Sequence, residues 1–595
     1  MDDDNKWYLV VKNGQPNGGI VELADDGQVT GVVYDLNWLN PKPELPYSWA
    51  EGPVMWKYKG YYYYSFARDL SGGQKVMRSK TITADSAAWE MLGDFFNESD
   101  PQKPNSLFTA PNHASQAVII NDSTSWIIHP VYAKGEWRGQ GRQGLLNQVR
   151  YDTNGVPVAD YPINDAFVAP ILPGSGIPWM VPKADFFNSE KLHPEWSFLG
   201  YTPDNKSSLT ERAGWLRLSP KSTSKANTII KKDGEHNYSL ITCVDFSAES
   251  VHDEAGLWIM RGDQTMEVKL VSTFTSEGAK EIIFSFDGVQ YKQPNNIGDT
   301  IWLKMVRVNH MISGYFSSAG TNWKKIGEDF NISELDAYSD FSTFTGTHLG
   351  LYVKGTKDAF FDLFIYRDAY TPILAECPAN QFGTTIGGIV EGVRPLINIH
   401  SNDWALYAGV EFGEGDYFDL PDSIEFIASC ETTGGKIEVW LDSMDTGSII
   451  SECTITSTGS LKEYASFKAK VDKVKGNHDV YLKFTGTGDD KLFQLKWINF
   501  LSESNSNTTS SFWSDINLNR EINIYPNPAK DRLSIESSFD FNRVYITDIK
   551  GQVIQYENYE QTVNHIHLPI NLENGTYLVK VSNGELDAVS RFIVE

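Results

Sequence analysis

The sequence predicts an all-β protein made of several domains. Three observations carry this. The chain has 595 residues, more than one hydrophobic core organises. It holds 17 Trp, 28 Tyr and 31 Phe beside 48 Gly, a balance that favours many short strands and tight turns. Short apolar-aromatic runs recur between Asn-Gly, Asp-Gly and Gly-Gly signals along most of its length.

Composition narrows the function. A net charge of -26 argues against nucleic acid, whose phosphates demand a basic surface. An acidic, aromatic-rich surface suits a neutral ligand such as a polysaccharide, although solubility alone explains the charge as well. The four cysteines, Cys243, Cys377, Cys430 and Cys453, make neither a disulfide scaffold nor a zinc pattern. Cys430 and Cys453 fall in one domain and are a candidate pair. No window offers the ~20 consecutive apolar residues of a membrane span.

In chain order, strands are expected at 7–11 and 19–23, around Asn13-Gly14 and Asn17-Gly18-Gly19, with a turn at Asp25-Asp26-Gly27. Residues 53–58 and 61–67 read as a hairpin closed at Lys59-Gly60, where glycine supplies positive φ. Lys75–Ser79 continues that unit, and 116–120 with 125–132 forms the next pair around Asn121-Asp122. This spacing fits propeller blades. Glu51 stands at the entrance to the aromatic hairpin, beside Trp49 and Gly52-Pro53. Burial among aromatic groups disfavours the charged carboxylate, and glycosidic cleavage needs a protonated one. An ordinary strand-edge glutamate is the alternative.

Glu51-Gly52-Pro53, an apolar-aromatic strand and Gly60-Tyr61-Tyr62-Tyr63 together resemble the general-acid motif of glycoside hydrolase family 43. Pro111-Asn112-His113-Ala114-Ser115 resembles that family's Gly-His-Gly/Ala segment, and Gly141-Arg142-Gln143-Gly144 its Gly-Arg-Glu segment. Three motifs in the family's order make a specific signal. The resemblance implies a five-bladed β-propeller removing xylose or arabinose units from plant polysaccharide by inversion. It makes Glu51 the acid, with Trp49, His113 and Arg142 at the sugar. It also implies that the base aspartate and a pKa-tuning aspartate precede the hairpin to which Asp2-Asp3-Asp4-Asn5-Lys6 is similar. Residues 1–175 are therefore expected to be a partial five-bladed propeller, with an open apolar face, an unpaired edge and little hydrolysis by this chain alone.

Prolines 170, 173, 178 and 182 mark the next boundary. Within 176–370, strands are expected at Trp215–Leu218, Tyr238–Ile241, Gly256–Met260, Ile282–Phe286, Ile301–Val306 and His348–Val353, a β-sandwich pattern. Ala184-Asp185-Phe186-Phe187, Pro194-Glu195-Trp196 and Gly214–Leu218 resemble the concanavalin-like sandwich that follows many family 43 propellers. That domain either lends a loop to the active site or packs passively.

Residues 372–502, through Ala375-Glu376, Ser401–Tyr407, Gly434–Asp442, Gly476–Phe484 and Leu492–Phe500, resemble a carbohydrate-binding module of family 6, a jelly-roll sandwich. The family's Asn-x-Asp-Trp is Gln494-Leu495-Lys496-Trp497 here, and one of two tryptophans becomes Tyr464. Tyr464 and Gln494 are thus the candidate sugar contacts of a weakened cleft. Trp404, Tyr407 and Trp440 are expected in the core, with a sugar-stacking platform as the alternative. No cofactor is required, and Glu376 is the candidate ligand of a structural calcium, which Lys496 cannot join.

Residues 503–515 form a polar linker. Residues 516–595, with Ile524-Tyr525-Pro526-Asn527-Pro528, Val544–Gly551 and Asn574–Val581, resemble the sorting domain of the type IX secretion system of Bacteroidota, a small sandwich. The resemblance implies a secreted or outer-membrane-surface protein. In sum, a partial five-bladed propeller followed by three sandwiches is expected. The leading function is a secreted hemicellulose hydrolase, whose partners are plant cell-wall polysaccharide and the type IX machinery. The alternative is a non-catalytic carbohydrate-binding protein.

Overall fold

The computed structural model describes residues 6–12, 18–39, 50–68, 73–120, 124–162, 183–199, 205–223, 225–262, 264–338, 344–388, 390, 393–414, 419–487, 490–502, 522–548, 553–583 and 587–594. They fall into two compact units, Met1–Asp368 with 408–411 and 476–478, and the remainder.

The first unit begins with three sheets. Trp7–Val11, Gly19–Leu23 and Val29–Asp35 form one; Ala50–Tyr58, Tyr61–Arg68, Gln74–Ser79 and Glu90–Asp94 form a four-stranded meander; Pro157–Ala159, Arg142–Tyr151, Thr124–Ala133 and Phe108–Thr109 form the third, with Val118–Ile120 beside it. Successive side chains of a strand point to opposite faces. On the middle sheet, Tyr63 therefore joins Trp56, Phe95, Phe96 and Ile127 on one side, while Tyr64 and Phe66 join Ile20, Leu36 and Trp89 on the other. Each buried aromatic contributes roughly 1.5–3 kcal/mol of burial free energy. This face-to-face stacking of short meanders is propeller-like. The first sheet keeps an exposed apolar face, with Trp7 45%, Leu9 47%, Val29 65% and Val33 43% accessible.

The same unit continues into two large antiparallel sheets. The first runs Ser197–Phe198, Asn227–Lys232, His348–Lys354, Glu254–Met260, Glu267–Phe274, Lys280–Phe286 and Val289–Pro294. The second runs Ser207–Ser208, Leu216–Leu218, Ala359–Tyr366, Asn237–Asp245, Thr300–Val308, Met311–Ser317 and Lys324–Lys325, with Phe330–Asn331 on Met311–Ser317. Leu257, Ile259, Leu270, Phe284, Leu303, Leu351 and Phe361 fill the space between them. This is the expected sandwich.

The second unit holds another pair of sheets. One orders Thr385–Ile386, Leu396–Ile397, Gln494–Leu501, Ser423–Ser429 and Ala465–Lys470, with Ile373–Leu374 on Gln494–Leu501. The other orders Asn380–Phe382, Trp404–Glu411, Asn477–Thr485, Gly435–Leu441 and Ser448–Ile455. Tyr407 is core as expected, fully buried with its hydroxyl donating to the Ala375 carbonyl at 3.0 Å. Trp404 and Trp440 are not. Both are half-buried on the outer face of the second sheet, where Trp404 lies 6.0 Å from Tyr481 and opposite Phe382, itself 53% exposed. The reason is register: Trp440 alternates with the core residues Val439 and Leu441. Cys430 and Cys453 do not pair; none of the four cysteines is in a disulfide, and the Cys430 thiol donates to the Leu492 carbonyl at 3.1 Å.

In the last segment, the described residues form a five-stranded hydrogen-bonded sheet. Two 17-residue strands, Arg532–Asp548 and Val553–Pro569, pair through three register shifts. Such bulges bend a strand, and Leu533, Ile535, Phe541, Val544, Val579 and Phe592 gather in the core.

Candidate active site

Glu51 is the second residue of the strand Ala50–Tyr58, at the mouth of the aromatic hairpin. The ladder slips between Glu51 and Val54. Gly52 and Pro53 cause it: Gly52 sits at φ +51°, and proline has no N–H to give the ladder. The slip turns the Glu51 side chain outward, 36% exposed. His113 also has positive φ, 46°, on the loop that follows Phe108–Thr109. Its imidazole lies flat against Gly52, where a Cβ would meet Nδ1 at 2.5 Å. Only glycine at 52 lets the ring in. His113 Nε2 comes to 3.7 Å from Glu51 Oε2.

The remaining groups are cationic. The Lys12 ammonium, at the end of Trp7–Val11, makes an ion pair with Glu51 Oε1. Arg142 opens the strand Arg142–Tyr151, opposite Tyr132. Its guanidinium stacks 4.5 Å from the Phe344 ring and 5.8 Å from Tyr132, and its buried Nε has no partner among the described residues. Burial pushes His113 below its ordinary pKa, and the charges of Arg142 and Lys12 add to this while Glu51 opposes it. These effects favour the neutral imidazole.

Glu51 and His113 thus meet, and the Arg142 charge reaches the imidazole. Around Glu51 the described residues place the Lys12 ammonium and the His113 imidazole, and Trp49 lies outside the described residues. Lys12 and Phe344 had no signal in the sequence. Each reaches the site from a different sheet or domain, and neither sits in a motif.

In the second unit, the Tyr464 hydroxyl donates to Gln494 Oε1 at 3.0 Å. Gln494 borders a cleft with Ile397, Asn398, Glu431, Leu461 and Phe493. The buried Lys496 places its ammonium 4.2 Å from the Tyr464 ring, so a cation already covers part of that surface. Glu376 accepts the Arg394 amide at 2.9 Å. Among the described residues, no three carboxylate, histidine or cysteine side chains converge on a point where an ion would sit.

Residues 1–157 match the family described as glycosyl hydrolases family 43. The chain carries a family 43 glycosyl hydrolase domain. Residues 184–367 match the beta xylosidase C-terminal concanavalin A-like domain, 375–502 the carbohydrate binding module of family 6, and 523–595 the secretion system C-terminal sorting domain. The chain is 26% identical over 348 residues to a non-reducing end alpha-L-arabinofuranosidase of Bacteroides ovatus, covering 53% of this chain and 62% of the relative. It is 32% identical over 146 residues to an arabinoxylan arabinofuranohydrolase of Paenibacillus polymyxa, covering 23% of this chain and 22% of the relative. In both cases the match spans less than two thirds of the relative's length. Among solved structures, the family 43 protein BlXynB of Bacillus licheniformis aligns with a TM-score of 0.51 at 22% identity, over 62% of this chain and 73% of that one. This likeness establishes the fold of the family 43 domain with its sandwich. The sorting domain indicates type IX secretion, and no helix among the described residues is long and apolar enough to cross a membrane.

Proposed function

We propose that the family 43 domain forms the general-acid side of a glycoside hydrolase site acting on hemicellulose. The substrate class follows the activities for which the two relatives are named: arabinose, or the chemically similar xylose, linked to a xylan backbone. The observation that carries this reading is the convergence of Glu51 and His113, set by Gly52, with Arg142 charge close enough to depress the imidazole. Glu51 protonates the leaving oxygen, the neutral form of His113 holds the floor, and the Arg142 guanidinium binds a sugar hydroxyl. Inversion needs a second carboxylate about 6.5–9.5 Å from the acid, with a water between them. The sorting domain places the enzyme where polymeric substrate is met, and the carbohydrate module holds it there.

A second reading is a secreted carbohydrate-binding protein without turnover. Two observations favour it. Lys12 occupies Glu51, and the outer face of the module presents Phe382, Trp404 and Trp440, flat apolar surfaces suited to sugar rings. One experiment separates the two: hydrolysis of nitrophenyl arabinofuranoside and nitrophenyl xyloside by the 595-residue chain and by its Glu51→Ala variant. The hydrolase reading expects release of nitrophenol that falls at least 100-fold in the variant, in line with loss of a general acid. Equal rates would discard Glu51 as the acid. Absence of turnover in both would leave the binding reading.

A further inference from the structure

The strands Thr124–Ala133 and Arg142–Tyr151 are joined by a 3-10 turn, Gly135–Gln140, that leaves the propeller-like sheets and enters the concanavalin-like sandwich. There Trp137 is stacked between two histidines. Its ring centroid lies 3.5 Å from His236 at an interplanar angle of 8° on one face, and 3.9 Å from His310 at 18° on the other. Both histidines are anchored. His236 Nε2 bonds the Gln140 side chain at 3.0 Å, and His310 Nδ1 bonds Asp336 at 2.8 Å. Asp336 in turn grips Arg307, which with Asp233 makes a fully buried ionic group behind the tryptophan.

The turn is fastened along its backbone too. Lys232 donates to the Gln140 carbonyl at 2.8 Å and also to the Thr345 carbonyl. A Cβ on Gly139 would lie 2.3 Å from the Asp336 and Ala337 carbonyls, and one on Gly141 would lie 2.5 Å from Gly346 N. The next residue after Gly141 is Arg142, whose amide donates to the Phe344 carbonyl at 3.4 Å and whose guanidinium rests on the Phe344 ring. A turn that only closed a hairpin would need none of this.

We infer that Trp137, held between His236 and His310, is the positioning residue through which the sandwich fixes the Arg142 guanidinium in the candidate active site. The proposal rests on the hydrolase reading for what Arg142 does, but not for how it is held. A stacked aromatic ring between two anchored rings resists both tilt and slide. Losing both faces would free the turn, and Arg142 is only two residues past its end.

The test is chemical and independent of turnover. The full-length chain is treated with phenylglyoxal, and modification of Arg142 is followed by peptide mass spectrometry. Arg150, 59% exposed on the same strand, serves as internal control. Arg142 should react at least 10-fold faster in Trp137→Ala than in the parent chain. Trp137→Phe, which keeps a stacking ring, should restore most of the protection, and Arg150 should not change. His236→Ala is the second variant, in case Trp137→Ala does not fold; it should give an intermediate increase. Unchanged Arg142 reactivity in both alanine variants would overturn the proposal. So would equal acceleration at Arg150, since that reports general loosening. If nitrophenyl glycosides are turned over, Trp137→Ala and Arg142→Ala should lose activity by similar factors and the double variant by no more than either. Losses that multiply would count against the joint, whereas insensitivity of turnover to Arg142→Ala would count only against the role given to the arginine.

Discussion

The strongest thermodynamic lever in the first unit is the ionic group behind Trp137. Arg307, Asp233 and Asp336 all have fully buried side chains. Arg307 Nη1 meets Asp233 at 3.0 Å, Nη2 meets both Asp336 oxygens at 2.6 Å, and Nε donates to the Asn309 carbonyl at 2.9 Å. Asp336→Ala removes the bidentate partner, leaves Nη2 in a dry interior and releases His310. Breaking a buried pair from one side costs about 3–5 kcal/mol. For a domain of 150–250 residues, each kcal/mol moves the midpoint by roughly 2–4 °C, so a fall of about 10 °C is expected. The assay is calorimetry of the full chain at neutral pH. The sandwich transition is assigned by hydrogen exchange in Thr300–Val308. A shift below about 2 °C would refute the reasoning, because it would mean that solvent reaches Arg307. A triple variant, Asp233→Leu, Arg307→Met and Asp336→Leu, should recover most of the loss, since exchanging a whole buried ionic group for apolar side chains is often close to neutral. If the triple variant is as unstable as the single one, shape and not charge sets the cost.

The same unit and the carbohydrate module each set a further outcome. Burial, aided by the Lys232 charge, pushes His348 down to about 4 from 6.5. The unfolded chain binds this proton as pH falls through 6.5 and the folded chain only near 4, so the stabilisation is full above 6.5 and is lost between the two values. Allowing for partial exposure, about 2 kcal/mol of sandwich stability should vanish between neutral pH and about 4.5. In urea titrations, His348→Phe should shrink that difference by the same amount, and an unchanged difference would remove His348 as its source. In the module, Trp404→Ala and Trp440→Ala should each weaken binding of arabinoxylan by about 2–10-fold, with melting within about 2 °C of the parent. Binding intact with a much lower melting point would show the rings to be structural.

Much of the fold was legible because strand signals are local. The hairpin at Lys59-Gly60 and the runs Ile282–Phe286, Ile301–Val306 and Gly476–Phe484 all fall inside observed strands or within a residue of them. The strands Asn227–Lys232, Ser423–Ser429 and Val553–Pro569 escaped notice. Asn227–Lys232 ends in two lysines, and Val553–Pro569 is polar along one side, so neither announces a buried strand. The outward faces of Trp404 and Trp440 could not be read either. A tryptophan beside apolar neighbours looks like core until pairing sets which face meets the second sheet.

The candidate site divides along the same line. Glu51, His113 and Arg142 were recognisable because each lies in a short motif whose backbone it needs: the Gly52-Pro53 slip, the positive φ at His113, the strand opening after Gly141. The sequence by itself determined the all-β class and the order of the four modules, and it singled out these three side chains as candidates. The tertiary structure alone decided that Lys12 sits on Glu51, that Phe344 covers Arg142 and that two histidines of the sandwich hold Trp137. Those contacts join residues far apart in the chain. Their free energy comes from packing and charge across surfaces that no local spacing encodes.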